Sequence, residues 1–222
     1  MPTSTVEDYL KCIYVNEREK SAGGPVSTGQ IAAALGVSPG TATAMVKTLA
    51  DAGLVAYEPY AGVRLTPAGA QLAAVVLRRH RVVELFLVKV MGMNWSEVHD
   101  DAERLEHAVS DRLIERMDEI LGRPSSDPHG DPIPNPRGVV REPAYQDLLA
   151  CPLESSVQVA RITDQATDFL RLLERHSVIP GNRLVVESRT EAADTVVIRP
   201  DGAAPLSLGF RAASKVLVAS SI

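Results

Sequence analysis

The chain has 222 residues, a formal net charge of −5 and two cysteines, Cys12 and Cys151. That length exceeds what one small domain needs. The acidic balance argues against holding a polyanion by bulk charge alone, and two distant cysteines build no disulfide framework or Cys-x-x-Cys pair. No apolar run is long enough to span a membrane. Met1-Pro-Thr-Ser-Thr-Val-Glu-Asp8 lacks a basic-then-apolar signal pattern, so a cytoplasmic protein with no membrane partner is expected.

In chain order, Val6, Tyr9, Leu10, Ile13 and Tyr14 recur at helical spacing and predict a helix from about Thr5 to Arg18, with Asp8 off the stripe. Ser21-Ala-Gly-Gly-Pro25 breaks it. Ser27 can cap a short helix through Leu35 that Gly36 ends. Ser38 can cap the next, with Pro39 at its first position and Gly53 closing it. Two short helices joined by a Gly-containing turn read as a helix-turn-helix, with Ala32, Leu35, Val37, Ala42, Met45, Val46 and Leu49 as its small core. Residues 54–66 then read as two short strands around a Pro/Gly turn, a wing. Fold alone leaves open a three-helix domain with no nucleic-acid role.

A long helix is predicted from Pro67 to about Met91, with His80 and Glu84 at i and i+4. Its wide apolar surface suits packing and a subunit interface, and Gly92 stops it. In the stretch from Glu97 to Asp111, read as a helix, Glu103, Glu106 and His107 fall at i, i+3 and i+4 on one face, with His99 a turn earlier. One reading is a solvated, salt-bridged surface. The other is a metal site, because Glu97, Asp100, Asp101, Glu103 and Glu106 face a single nearby base, Arg104, and like charges at these offsets repel without a cation. A third helix is predicted from about Asp111 to Leu121, completing a dimerisation bundle.

Residues 122–138, rich in Pro and Gly, read as an extended connector, in preference to a further metal site built on His129, Asp127 and Asp131. Beyond about Glu142 the pattern changes to short strands at Ser156–Ile162, Arg183–Ser188, Asp194–Arg199 and Lys215–Val218. A helix near Asp164 to Arg175 interrupts them, and together they suggest a small barrel. The expected fold class is α+β and multidomain: a winged helix-turn-helix over 1–66, a helical metal-binding and dimerisation domain with connector over 67–141, and an SH3-like (FeoA-like) β-barrel over 142–222.

Four blocks, Glu7-Asp-Tyr-Leu-Lys-Cys-Ile-Tyr14, Arg79-His-Arg-Val-Val-Glu84, Val98-His-Asp-Asp-Ala-Glu-Arg-Leu-Glu-His107 and Asp127-Pro-His-Gly-Asp-Pro-Ile-Pro134, resemble the diphtheria toxin repressor family of metal-dependent transcriptional regulators. The similarity covers the whole chain. It implies a primary metal site at Asp8, Glu103, Glu106 and His107. It also implies an ancillary site at His80, Glu84 and His99, completed by Gln165 and Asp168 of the SH3-like domain. Iron-responsive members carry Met and Cys where this chain has Asp8 and Glu103. Hard oxygen ligands suit Mn(II), with Fe(II) or Co(II) as other fits. Some short manganese members have Glu where this chain has Lys11, whose charge would repel an ion there, so no closely bridged dinuclear site is expected.

The implied function is a Mn(II)-activated repressor of manganese-uptake genes that binds double-stranded operator DNA as a homodimer, with no organic cofactor. DNA contact is expected from Ser27 and from Ser38, Pro39, Gly40, Thr41, Thr43, Ala44 and Lys47 of the second helix of the motif, with Arg64 of the wing. Few long polar side chains stand on that helix, so readout by shape and methyl contacts is expected over direct base recognition. The rival readings are an Fe(II)-responsive repressor of the same family, a regulator sensing an organic ligand, and a metal-dependent enzyme. The last would leave the winged motif unexplained.

Overall fold

The computed structural model describes residues 3–19, 24–140 and 143–220. They divide into two compact units, one built from Met1–His80, Glu106–Val109 and Pro134–Val140, the other from Arg81–Leu105, Ser110–Ile133 and Arg141–Ile222. The predicted break at Ser21–Pro25 falls mostly outside the described residues.

The first unit opens with α1 (Ser4–Glu19), whose Tyr9, Leu10, Ile13 and Tyr14 are all buried. The Ser27 hydroxyl accepts the Gln30 N–H while the Gln30 side chain answers the Ser27 N–H, a reciprocal cap that starts α2 (Thr28–Ala34). Gly36 leaves that helix at φ 63°, a left-handed conformation that costs glycine little. Ser38 accepts the Thr41 N–H at 3.1 Å and starts α3 (Pro39–Asp51) with proline in its first turn, where no N–H is missed. Ala42, Val46 and Leu49 turn inward from α3 onto Ile31 and Ala32 of α2 and the stripe of α1. The wing is β1 (Val55–Glu58) paired antiparallel with β2 (Gly62–Leu65). Val63 also exchanges backbone hydrogen bonds with Val26, which fastens the wing to the segment before α2. Ala73, Ala74 and Leu77, from the first half of α4 (Pro67–Lys89), close this core.

In the second unit, α4 continues to Lys89 rather than to Met91. The acidic stretch forms a shorter helix than its sequence suggests: α5 spans His99–Glu106, and His107 lies in the turn that follows. Ser110 caps α6 (Asp111–Ile120). The C-terminal part is a six-stranded sheet in the order β3-β8-β4-β5-β6-β7, antiparallel throughout. Its strands are β3 (Gln146–Asp147), β4 (Ser156–Ile162), β5 (Arg183–Thr190), β6 (Thr195–Pro200), β7 (Leu206–Gly209) and β8 (Val216–Ser220). Helix α7 (Thr167–Arg175) lays Leu170 and Leu173 on the core made by Val157, Val159, Leu184, Val186, Val196, Ile198 and Val218. A short helix, α8 (Phe210–Ala213), links β7 to β8. Cys151 is buried in this core and its thiol pKa is pushed up by burial, as expected of an inert cysteine.

Candidate functional site

The first unit gathers a carboxylate from α1, the last residue of α5 and the turn residue that follows it. Asp8 Oδ1 stands 2.8 Å from His107 Nε2, and Glu106 Oε1 stands 3.3 Å from the same nitrogen. One oxygen of each acid and one ring nitrogen all lie within 4.8 Å of one another. Two ligands each about 2.2 Å from one ion stand roughly 3 to 4.4 Å apart, so a small adjustment that opens the Asp8–His107 contact would let a cation take all three. His107 leaves the helix at the turn, which aims its ring at α1.

The surroundings orient these groups. Glu7 Oε2 holds His107 Nδ1 at 2.6 Å, which leaves Nε2 to face Asp8 and Glu106. A carboxylate on the far nitrogen of a ligating imidazole fixes its ring and raises its basicity. Arg79 lies 3.6 Å from Glu7 Oε1. Burial disfavours the His107 imidazolium, but the hydrogen bond to Glu7 and the charges of Glu106 and Asp8 outweigh it, so its pKa is raised. Glu106 is fully buried. Its Oε2 meets His80 Nδ1 at 2.6 Å and its Oε1 meets Lys11 Nζ at 2.7 Å. Burial alone would push the Glu106 carboxyl up, yet the His80 hydrogen bond and the Lys11 charge bring it below the ordinary value. Glu7 was not expected to shape this site, and Lys11 was expected only to repel an ion, not to pair with Glu106. Their signal was positional: both lie within a turn of Asp8 on α1.

The second unit holds another donor set, at the residues read as a connector. Glu84, Asp127 and His129 each offer a ligand atom within 4.8 Å of the others, and all three are buried. His129 Nε2 donates to the Trp95 carbonyl at 2.9 Å and the ring stacks on the Trp95 indole. Its Nδ1 lies 4.0 Å from Glu84 Oε2 and has no hydrogen-bond partner. A buried ring nitrogen without a hydrogen-bond partner, beside two buried carboxylates, is a costly arrangement that a cation among the three relieves. Burial, with the charges of Asp131 and Glu84, raises the Asp127 pKa well above its ordinary value. The loop is fixed by backbone contact with β4: Ile162 N–H donates to His129 O at 2.8 Å. Gly130, at φ 87°, sits where a Cβ would fall 2.0 Å from Ala160 O.

The remaining residues implied as ligands lie as follows. His80 is engaged by Glu106. His99 Nδ1 lies 3.1 Å from Glu84 Oε1 and its Nε2 lies 3.6 Å from Glu103 Oε1. The Gln165 amide donates to Asp131 Oδ2 at 2.9 Å, and Asp168 is exposed in the first turn of α7. Of the residues expected at DNA, Ser27, Ser38, Pro39, Gly40, Thr41, Ala44, Lys47 and Arg64 are exposed and Thr43 is half-buried. Ser38 spends its hydroxyl on the cap, and the Thr43 hydroxyl donates to Pro39 O at 2.8 Å.

Three family models match the chain in succession. They are the N-terminal DNA-binding domain of iron-dependent repressors over residues 1–63, the metal binding and dimerisation domain of the same repressors over 66–135, and the FeoA domain over 147–220. A winged DNA-binding domain joined to a metal-binding domain defines a metal-dependent transcriptional repressor. The chain is 34% identical over 206 residues to the iron-dependent repressor IdeR of Mycobacterium tuberculosis, covering 87% of this chain and 88% of that protein. It is 32% identical to the diphtheria toxin repressor of Corynebacterium diphtheriae over 75% of this chain and 69% of that one. A solved manganese-dependent transcriptional repressor in complex with manganese aligns with a TM-score of 0.87 at 41% identity, over 97% of this chain and 100% of the other. The protein belongs to the iron-dependent repressor family, whose members include the diphtheria toxin repressor. These relatives are repressors, not enzymes. No helix among the described residues is long and apolar enough to cross a membrane.

Proposed function

We propose that the protein is a Mn(II)-activated repressor that binds duplex operator DNA as a homodimer and controls manganese uptake. The observation that carries this reading is the donor set: Asp8, Glu106 and His107 converge with two carboxylate oxygens and one imidazole nitrogen. No cysteine joins this group or the one at Glu84, Asp127 and His129. Oxygen-rich sets suit Mn(II), whereas sulfur favours softer metals. The aligned repressor structure that holds manganese supports the same choice.

Asp8, Glu106 and His107 would hold one ion and Glu84, Asp127 and His129 a second, with His99 adjoining Glu84. A bound ion would supply the positive charge that lets Asp8 of α1 and Glu106 at the end of α5 stand together. Glu7 keeps His107 Nε2 pointed at that position, and His80 keeps Glu106 from turning away. With α1 packed on α2 and α3 through Leu10 and Ile13, fixing α1 fixes the reading helix. Two reading heads must meet half-sites at a set spacing, so an ion that binds the competent arrangement more tightly shifts the population toward it. Exposed Val90, Met91, Leu113 and Ile120 offer apolar surface for a second copy. The domain limits 1–66, 67–141 and 142–222 are part of this proposal.

The Fe(II)-responsive reading is favoured by the likeness to IdeR. Operator binding titrated in parallel with Mn(II), Fe(II), Co(II) and Zn(II) near neutral pH separates the two. Mn(II) should activate at the lowest concentration, and Glu106→Ala should abolish activation. Full manganese-dependent DNA binding by Glu106→Ala would end the proposal.

A further inference from the structure

Lys11 follows Asp8 by three residues on α1 and so shares its face. Its ammonium lies 2.7 Å from Glu106 Oε1, and its side chain is 11% exposed while that of Glu106 is 0% exposed. The oxygen it engages is the one nearest His107 Nε2, at 3.3 Å. Lys11 therefore sits on the oxygen that an ion shared with Asp8 and His107 would take. A carboxylate this deeply buried needs a cation beside it, because an unpaired buried charge is strongly destabilising. An ammonium and a divalent ion on one carboxylate oxygen repel each other.

We propose that Lys11 is a tethered cation that neutralises Glu106 in the metal-free chain and competes with the metal for that oxygen, so that it sets the metal concentration at which the site fills. This rests on the metal site proposed above. Because the competitor is covalently attached, its effective concentration stays high and does not vary with the medium. The metal-free site is held assembled rather than left to repel itself open, and the metal must displace Lys11 to bind. His80, on the other oxygen of Glu106, keeps the carboxylate in place while Lys11 leaves. The same displacement disfavours a second ion beside the first, since the released ammonium stays within a few ångströms.

The test is direct binding of Mn(II) to the full chain, read as the loss of the free aqueous ion's electron paramagnetic resonance signal, with no DNA present. Lys11→Met removes the charge and keeps the length, Lys11→Gln keeps a hydrogen-bond donor without the charge, and Lys11→Arg keeps the charge. Lys11→Met should bind Mn(II) about tenfold more tightly at the first site, the weight of one part-buried ion pair. Lys11→Arg should stay within threefold of the unsubstituted protein. Lys11→Gln supplies the reading if Lys11→Met does not fold. Affinity less than threefold tighter than that of the unsubstituted protein, or weaker, would overturn the proposal and make Lys11 a residue that merely positions Glu106. Glu106→Gln is the control that separates the two failures. If it leaves first-site binding intact, the site itself is misassigned; if it abolishes binding while Lys11→Met changes nothing, only the role of Lys11 falls.

Discussion

Glu106→Ala tests the energetics of the acidic site before any metal is added. The change strips Lys11 and His80 of a carboxylate they meet at 2.7 and 2.6 Å, in surroundings where Glu106 is 0% exposed. Removing one partner of a buried ion pair costs about 3–5 kcal/mol, because the charge left behind is uncompensated. Spread over the opening equilibrium of α1, that corresponds to roughly a hundredfold to several thousandfold faster hydrogen exchange at protected amides. Tyr9, Leu10 and Ile13 are the amides to follow, since all three are buried against the same core. The unsubstituted protein and the variant would be compared in chelator, then in Mn(II) at about a hundred times its dissociation constant, where binding adds about 2.7 kcal/mol to the unsubstituted protein alone. The gap should widen by that amount. The Glu106 pKa lies below its unfolded value, so its contribution is present above about pH 4.3 and is lost as pH falls through the lowered folded value. Exchange in α1 of the variant within threefold of the unsubstituted protein in chelator, or a gap indifferent to Mn(II), would refute the reasoning.

Four further outcomes are expected. Protons compete with metal for His107, whose pKa is raised, so Mn(II) affinity should begin to weaken at a higher pH than a free imidazole would give; a flat titration between pH 8 and 6 would contradict this. In the metal-free protein the same shift stabilises the fold fully below about pH 6.5 and is lost as pH rises through the folded value, which thermal unfolding in chelator measures. Gly130→Ala puts a Cβ 2.0 Å from a backbone oxygen at a left-handed φ, and should cost about 2–4 kcal/mol in urea unfolding and displace His129; a loss under 1 kcal/mol would mean the loop yields freely. His129→Phe should keep the stacking on Trp95 but lower bound Mn(II) by one ion per chain in metal analysis, and unchanged stoichiometry would remove the second site.

Much of this arrangement was legible where local chemistry and tertiary need agree. Ser27 and Ser38-Pro39 announce helix starts because the caps satisfy backbone N–H groups that the first turn of a helix leaves unpaired. The alternating apolar run of Ser156–Ile162 appears unchanged as β4. Strands β3 and β7 escaped notice because two and four residues, with Pro and Gly nearby, carry too little periodicity. The 97–111 stretch was read as one helix, yet α5 stops at Glu106, and the resulting turn is what aims His107 at Asp8. The Pro and Gly neighbours of His129 and Asp127 predict a connector, whereas both side chains are buried. Those residues allow the chain to press against β4 and bury both side chains, a fact no local pattern reports. Lys11 was seen as a charge hostile to metal; its pairing with a carboxylate ninety-five residues away needed the fold.

The most direct test of the account is the anomalous scattering of manganese in crystals of the protein grown with Mn(II). A peak within bonding distance of Asp8, Glu106 and His107, with Lys11 moved off Glu106, is the predicted result. Density with no anomalous signal among those three side chains, in crystals that carry manganese elsewhere, would contradict it.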